Sequence, residues 1–215
     1  MSPPGEFRKD LVVLVADSDV REGIAALLAR HAAIGTRPIT FDIFKHDDRD
    51  PGCRAKAADY LRPQAQAYAY ALVMFDRHGC GSVQSACEIE DATRESLERS
   101  GWPGRCEVVV LDPEIEAWVW GPSRTVAECL GWLPTQPPLR DWLLQQGLWN
   151  PAGVKPADPK AAVERVLREV GKRRSSRLYA LLAERVTTRG CRDPSFNRFC
   201  EILRRWFPPE GDSAE

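Results

Sequence analysis

Residues 71–82 read ALVMFDRHGCGS. The apolar run 72–75 stops at Asp76, and Arg77, His78 and a Gly79-Cys80-Gly81 turn follow at once. A carboxylate and an imidazole two positions apart at a strand end can hold a divalent cation or move a proton. The pattern recurs. The run LVVLV at 11–15 is followed by Asp17 and Asp19, and VVVL at 108–111 by Asp112, Glu114 and Glu116. Carboxylates brought to one place repel unless a cation joins them, and oxygen donors favour Mg²⁺ or Mn²⁺. Such an ion orients a phosphate and lowers the pKa of a water, which is the basis of phosphodiester cleavage. Each acid also has a plainer role, because Asp17, Asp19 and Asp112 stand where a helix N-cap belongs.

These acids have to be positioned by strands and helices. Strand patterns occur at 11–15, 39–44, 70–75 and 108–111. Helical spacing follows Asp17-Ser18-Asp19, spans about 53–62 before Pro63, and spans 83–99. The stretch HDDRDPG at 46–52 reads as a loop, and Pro113 opens a short helix through EIEAWVW. Strands alternating with helices predict an α/β fold: a mainly parallel four-stranded sheet with flanking helices. Its functional residues belong where strands end and helices begin. Beyond about 121 the strand patterns cease. Asp158-Pro159, Ser175-Ser176 and Asp193-Pro194 each open a helical stretch, and Gly171 closes one. The chain therefore reads as an α/β core over 10–120 and a helical C-terminal part over 121–208, packed as one unit. Residues 1–9 and the terminal GDSAE read as tails.

Cations lie near these acids. Arg49, Arg54 and Lys56 belong to the loop after the second strand, as a rim for substrate phosphates or as a solvated charged loop. Lys172, Arg173, Arg174 and Arg177 fall in GKRRSSR, which suits backbone phosphates or the carboxyl end of the preceding helix. Lys155 and Lys160 flank a helix N-terminus and could reach an anion there. His78, Cys80 and Cys87, with His46 and Cys53, raise a zinc reading, but the tight ligand pairs of zinc sites are missing. The seven cysteines form no CxxC pair and read as free thiols, Cys87 on the buried face of its helix. Most of the seven tryptophans read as wedges between the helical part and the sheet, while the pair Trp118 and Trp120 beside Glu116 could stack on a base.

A formal charge of −1 leaves any nucleic-acid partner to a local patch. No apolar stretch approaches the ~20 residues needed to cross a bilayer, and the N-terminus shows no signal-peptide pattern. The expected location is cytoplasmic, with no membrane partner.

The order of elements resembles that of the Toprim-like families. These place a glutamate after the first strand and Asp-x-Asp after the third, and the acids bind a divalent metal for DNA cleavage or strand transfer. The ordered set VADSD, RDPGC, FDRHGCG, VLDPEIEAWVWG, KPADPKAAVERVL and RSSRLYALLA is similar, over about 11–207, to Toprim-like proteins of bacterial antiphage defence islands, in particular those encoded with methylation-associated systems. The resemblance implies a Mg²⁺- or Mn²⁺-dependent nuclease acting on nucleic-acid phosphodiesters among other defence proteins. Asp17 or Asp19 would stand in for the glutamate, polarising a water or protonating a leaving group. Asp76 and Glu116 would hold the metal, with His78 and Glu114 as further ligands, and Arg77 would neutralise charge on the phosphate. The departures are an aspartate for that glutamate and Asp76-Arg77-His78 for Asp-x-Asp. An imidazole suits Mn²⁺, Fe²⁺ or Zn²⁺ better than Mg²⁺. The altered motif also admits a second expectation: an accessory subunit without catalysis, built around the remnant of a site.

Overall fold

The computed structural model describes residues 7–121, 125–133, 135–187 and 190–209. Of the tail foreseen at 1–9, residues 1–6 lie outside them and Lys9 already belongs to the first strand; the tail foreseen at 211–215 also lies outside them. Strand β1 (Lys9–Val15) leads into helices α1 (Ser18–Ala29) and α2 (His31–Ile34). Then come β2 (Phe41–Lys45), α3 (Arg49–Leu61), β3 (Tyr68–Asp76), α4 (Ala86–Arg99) and β4 (Cys106–Leu111). The remainder is helical: α5 (Thr125–Leu130), α6 (Leu139–Gln145), α7 (Pro159–Glu169), α8 (Ser176–Arg185) and α9 (Pro194–Trp206). The strands form one parallel sheet in the order β2-β1-β3-β4. The fold is therefore α/β, a four-stranded parallel sheet with flanking helices.

Both faces of the sheet are covered, which is why its strands are continuous apolar runs rather than alternating ones. Along β1 the side chains nevertheless divide with period two. Val12 and Leu14 join Val73, Phe75, Val108 and Val110 against α3 and α4, with Cys53, Ala57, Leu61, Ile89 and Leu97. Leu11, Val13 and Val15 join Leu72, Met74, Val109 and Leu111 against α1 and the C-terminal helices. This second core runs unbroken from Val20 and Ile24 of α1 to Val163, Val166, Phe199 and Leu203. The α/β and helical parts thus share a hydrophobic core, each fully buried Val, Leu or Phe contributing about 1.5–3 kcal/mol. Polar links reinforce the join. On α9, Arg204 Nε donates to the Ile34 carbonyl at 2.6 Å, and Arg198 Nε donates to the Val108 carbonyl at 3.3 Å on the outer edge of β4.

Several boundaries differ from expectation. The α3 helix starts at Arg49, inside the stretch read as loop, because Pro51 sits in its first turn, where a missing N–H is harmless. Helix α4 starts at Ala86 rather than 83, fixed by a capping box between Ser85 and Glu88. Residues 113–120 form only a 3₁₀ turn, Ile115–Trp118. Asp158 and Asp193 cap α7 and α9 as foreseen, whereas the Ser175 side chain makes no cap bond to α8. The tryptophans serve the core. Trp102, Trp120, Trp132 and Trp142 are buried, and Trp118 packs edge-on against Phe196 at 5.1 Å while donating to Ser195 Oγ at 2.7 Å. Cys87 is exposed, contrary to its expected place on a buried face.

Candidate carboxylate site at the sheet edge

In the order β2-β1-β3-β4 the chain leaves β1 toward one side and returns past it to β3. The carboxyl ends of β1 and β3 therefore flank the point where the winding reverses, the usual ligand crevice of such sheets. A cavity of about 560 Å³ opens there. It is lined by Asp17, Asp19, Arg49, Asp50, Asp76, His78, Gly79, Glu114, Lys160, Arg174 and Ser175. Of the acids foreseen after the first, third and fourth strands, Asp17, Asp19, Asp76 and Glu114 meet here while Asp112 and Glu116 do not, and the helical part contributes Lys160 and Arg174.

Each acid has a distinct hold. Asp17 is the N-cap of α1: its Oδ1 accepts from the backbone N–H groups of Asp19 and Val20, both at 2.9 Å. Asp76 ends β3, and its Oδ1 accepts from the Ile115 N–H at 3.1 Å. Asp50, in the first turn of α3, accepts the Asp76 N–H on Oδ1 at 2.9 Å, so the two carboxylates are neighbours. Arg49, with φ 51°, makes the left-handed step into this turn. Such a residue costs about 1–3 kcal/mol and persists only where its surroundings enforce it. His46 and Gly52 are those surroundings. His46 is buried, and its Nδ1 accepts the Asp48 N–H at 3.0 Å, which places the ring proton on Nε2. A Cβ on Gly52 would lie 2.2 Å from that Nδ1, so only glycine lets the turn close.

The remaining contacts are ion pairs. Glu114, nearly buried, joins His78 Nδ1 at 3.2 Å and Lys160 Nζ at 2.5 Å. Arg174 Nη2 bridges Asp19 Oδ2 at 2.7 Å and Glu116 Oε1 at 2.9 Å. Glu116 has no exposed surface. Its Oε1 also accepts the Tyr179 hydroxyl at 2.6 Å, its Oε2 has no hydrogen-bond partner, and the Arg174 Nε has none either. Glu116 therefore lies behind Arg174 rather than on the cavity wall, and Glu114 is the acid of this segment that faces the cavity.

Electrostatics follow from this crowding. Burial raises the Asp76 carboxyl well above its usual range, and the charges of Asp50, Glu116, Asp17 and Glu114 push the same way. Burial likewise raises Asp50, Asp19 and Glu116. Arg174 moves the other way. Burial opposes its charge, but Tyr179, Glu116 and Asp19 outweigh burial and hold it firmly cationic.

Other foreseen residues lie elsewhere. Arg77 pairs with Asp112 at 3.6 Å and is not among the cavity-lining residues. Arg54 Nε donates to the Cys80 carbonyl at 2.7 Å, bracing the glycine turn, and Lys56 pairs with Asp48 at 2.6 Å on the surface. Lys155 pairs with Asp193 at 2.7 Å in the helical part, while Lys172, Arg173 and Arg177 are exposed. Asp50 was not foreseen as a site residue; its signal was the acid-rich run after the second strand, which read as rim or loop.

No family model, curated protein or solved structure matches this chain.

Among the described residues, no three His, Cys, Asp or Glu side chains stand close enough together to enclose a metal. Cys80 is buried in the α3/α4-side core, and the zinc grouping with His46, Cys53 and Cys87 is not formed. The adjacent pair Asp50 and Asp76 does fit a hydrated Mg²⁺ or Mn²⁺, which uses one or two carboxylates and keeps its other positions for water and substrate phosphate. Burial first, and the neighbouring acids second, raise the Asp76 carboxyl, so a cation bound there would have to displace its proton. Among the described residues no helix is long and apolar enough to cross a membrane.

Proposed function

We propose that the protein is a Toprim-like, Mg²⁺- or Mn²⁺-dependent nuclease acting on nucleic-acid phosphodiesters, as one component of a bacterial antiphage defence system. The observation that carries the chemistry is the convergence of Asp17, Asp19, Asp50, Asp76 and Glu114 on one cavity at the switch point of a parallel sheet. The defence role, the company of other defence proteins and the cytoplasmic location rest on the resemblance of the ordered motifs.

In this reading Asp50 and Asp76 hold the cation, while Glu114 stays paired with Lys160 and His78. When bound, the ion polarises a phosphate oxygen and lowers the pKa of a water. Asp19 carries a raised carboxyl beside Arg174, which suits it to give a proton to a leaving oxygen. Asp17 is committed through Oδ1 to its cap and fixes the start of α1 against the cavity. Glu116 and Tyr179 hold Arg174 in place. The test is cleavage of single- and double-stranded DNA and RNA with Mg²⁺ or Mn²⁺. Wild type should cleave at least one of these and Asp76→Asn none, at unchanged fold. Equal cleavage by the variant defeats the assignment.

A second reading has its own observation. Lys160 and Arg174 already neutralise Glu114, Asp19 and Glu116, as they would in a silent site kept for binding. The protein would then be an accessory subunit of a defence complex, and a folded Asp50→Asn, Asp76→Asn, Glu114→Gln variant would still support defence.

A further inference from the structure

We infer that the cavity binds a sugar phosphate together with its divalent cation, that Lys160 and Arg174 of the helical part are the phosphate-binding groups, and that the nucleobase stays outside. This rests on the metal-site reading above and specifies its ligand.

The charge count comes first. Among the described lining residues, five carboxylates, Asp17, Asp19, Asp50, Asp76 and Glu114, face three cations, Arg49, Lys160 and Arg174. An anion entering alone meets a net negative wall. A cation entering alone is favoured, and a phosphate entering with it finds Lys160 and Arg174 in the same lining. Each ligand therefore supplies the charge that the other needs, and their binding is mutually reinforcing.

The second observation concerns Arg174. Its guanidinium is held from behind by the wholly buried Glu116, one oxygen of which lacks any partner, as does the Arg174 Nε. These two atoms are buried behind the wall, so a ligand meets this network at Arg174 itself, which lines the cavity. Arg174 spans from Glu116 to Asp19 at the cavity surface, and a phosphate that takes Arg174 from Asp19 leaves the Glu116 anchor intact. Lys160 is comparable: it stands in the first turn of α7, where the helix dipole also favours an anion.

The third observation is what the lining lacks. Of the described lining residues only His78 carries a ring, and none has an aliphatic side chain. Base recognition needs stacking surfaces or apolar walls. At about 560 Å³ the cavity is of ordinary small-ligand size. It holds a phosphate, its sugar and a hydrated ion on polar contacts alone.

The test is calorimetric titration of chelator-stripped full-length protein, first with Mn²⁺, then with ligands at saturating Mn²⁺. The ligands are AMP, GMP, UMP, ribose 5-phosphate and adenosine, plus one short oligonucleotide with and without a 5′-phosphate. The four phosphates should bind within about threefold of one another. Adenosine should not bind, and omitting Mn²⁺ should weaken phosphate binding by at least about tenfold. Lys160→Met should cost phosphate affinity about tenfold or more without weakening Mn²⁺ binding, since a charge-assisted hydrogen bond is worth that much. Arg174→Lys, which keeps the charge, should fall between the two. A preference for the phosphorylated oligonucleotide over AMP identifies a strand end as the source; the reverse identifies free nucleotide. Adenosine binding as well as AMP, tenfold discrimination among bases, or phosphate binding that ignores Mn²⁺ or Lys160 overturns the inference. Absence of Mn²⁺ binding overturns the metal-site reading itself, a separate result.

Discussion

Replacing Asp76 by asparagine should stabilise the metal-free protein while destroying the proposed metal site. The Asp76 carboxyl is largely buried, raised well above 3.8, and surrounded by Asp50, Glu116, Asp17 and Glu114. At neutral pH it is forced either to hold a proton or to sit as an uncompensated charge. Asparagine keeps an oxygen for the Ile115 N–H and removes the charge. A single unit of pKa displacement corresponds to about 1.4 kcal/mol, so a gain of at least about 1 kcal/mol is expected in chelator at pH ~7.5. For a chain of this size that is about 2–4 °C in Tm. The same change removes one of the two adjacent carboxylates, and Mn²⁺ affinity should fall by about 100-fold or more, at the upper end of what loss of an outer-shell partner costs. Scanning calorimetry with chelator and with Mn²⁺ reads both effects: the variant should melt above wild type in chelator and lose the Mn²⁺-induced rise. A variant that melts lower in chelator, or that binds Mn²⁺ as wild type does, refutes the argument.

Four further outcomes follow from the same geometry. Because Asp19, Asp50, Asp76 and Glu116 have raised folded pKa values, their favourable contribution is complete below the unfolded values near 4 and is lost as pH rises through the folded ones, so Tm in chelator should fall as pH rises above about 4 and fall less steeply in Asp76→Asn. Below about pH 4 the trend should reverse, since Asp10 and Asp193 are lowered, Asp193 by Lys155 and Ser195 against its burial, and lose their stabilisation as they protonate. Arg174→Ala should cost about 3–5 kcal/mol in denaturant unfolding by stranding Asp19 and Glu116, whereas a loss under about 1 kcal/mol would show that the bridge is not formed in solution. Gly52→Ala should cost about 1–3 kcal/mol and weaken Mn²⁺ binding as well, because a methyl group 2.2 Å from His46 Nδ1 must move the turn that carries Asp50.

The layout of the sheet was legible because its strands are short apolar runs ending in acids, and all four lie within two or three residues of where the pattern put them. The candidate site was half legible for the same reason: Asp17, Asp19, Asp76 and Glu114 are strand-end acids, and parallel strands bring their carboxyl ends to one edge. Asp50 was hidden because Pro51 and Gly52 are loop signals in isolation; here one is the first-turn proline of α3 and the other the contact that lets His46 close the turn. Glu114 and Glu116 could not be told apart, since a 3₁₀ turn sends one to the cavity and the other beneath Arg174. The destination of Arg174 itself was illegible. In GKRRSSR it looks like its neighbours Arg173 and Arg177, and only the distant Asp19 and Glu116 single it out.

The shared core has a consequence for how the chain is made. One face of β1 and β3 is covered by α3 and α4, which are synthesised with the strands, so that side can close as the polypeptide emerges. The other face needs Val163, Val166, Phe199 and Leu203, which arrive up to about 190 residues after Leu11. Until α9 has left the ribosome, a broad apolar face and a nest of unpaired carboxylates stay open to solvent. Shielding of that face late in synthesis should therefore raise the yield of folded protein, and an amino-terminal fragment ending before α7 should aggregate rather than stand as a separate core.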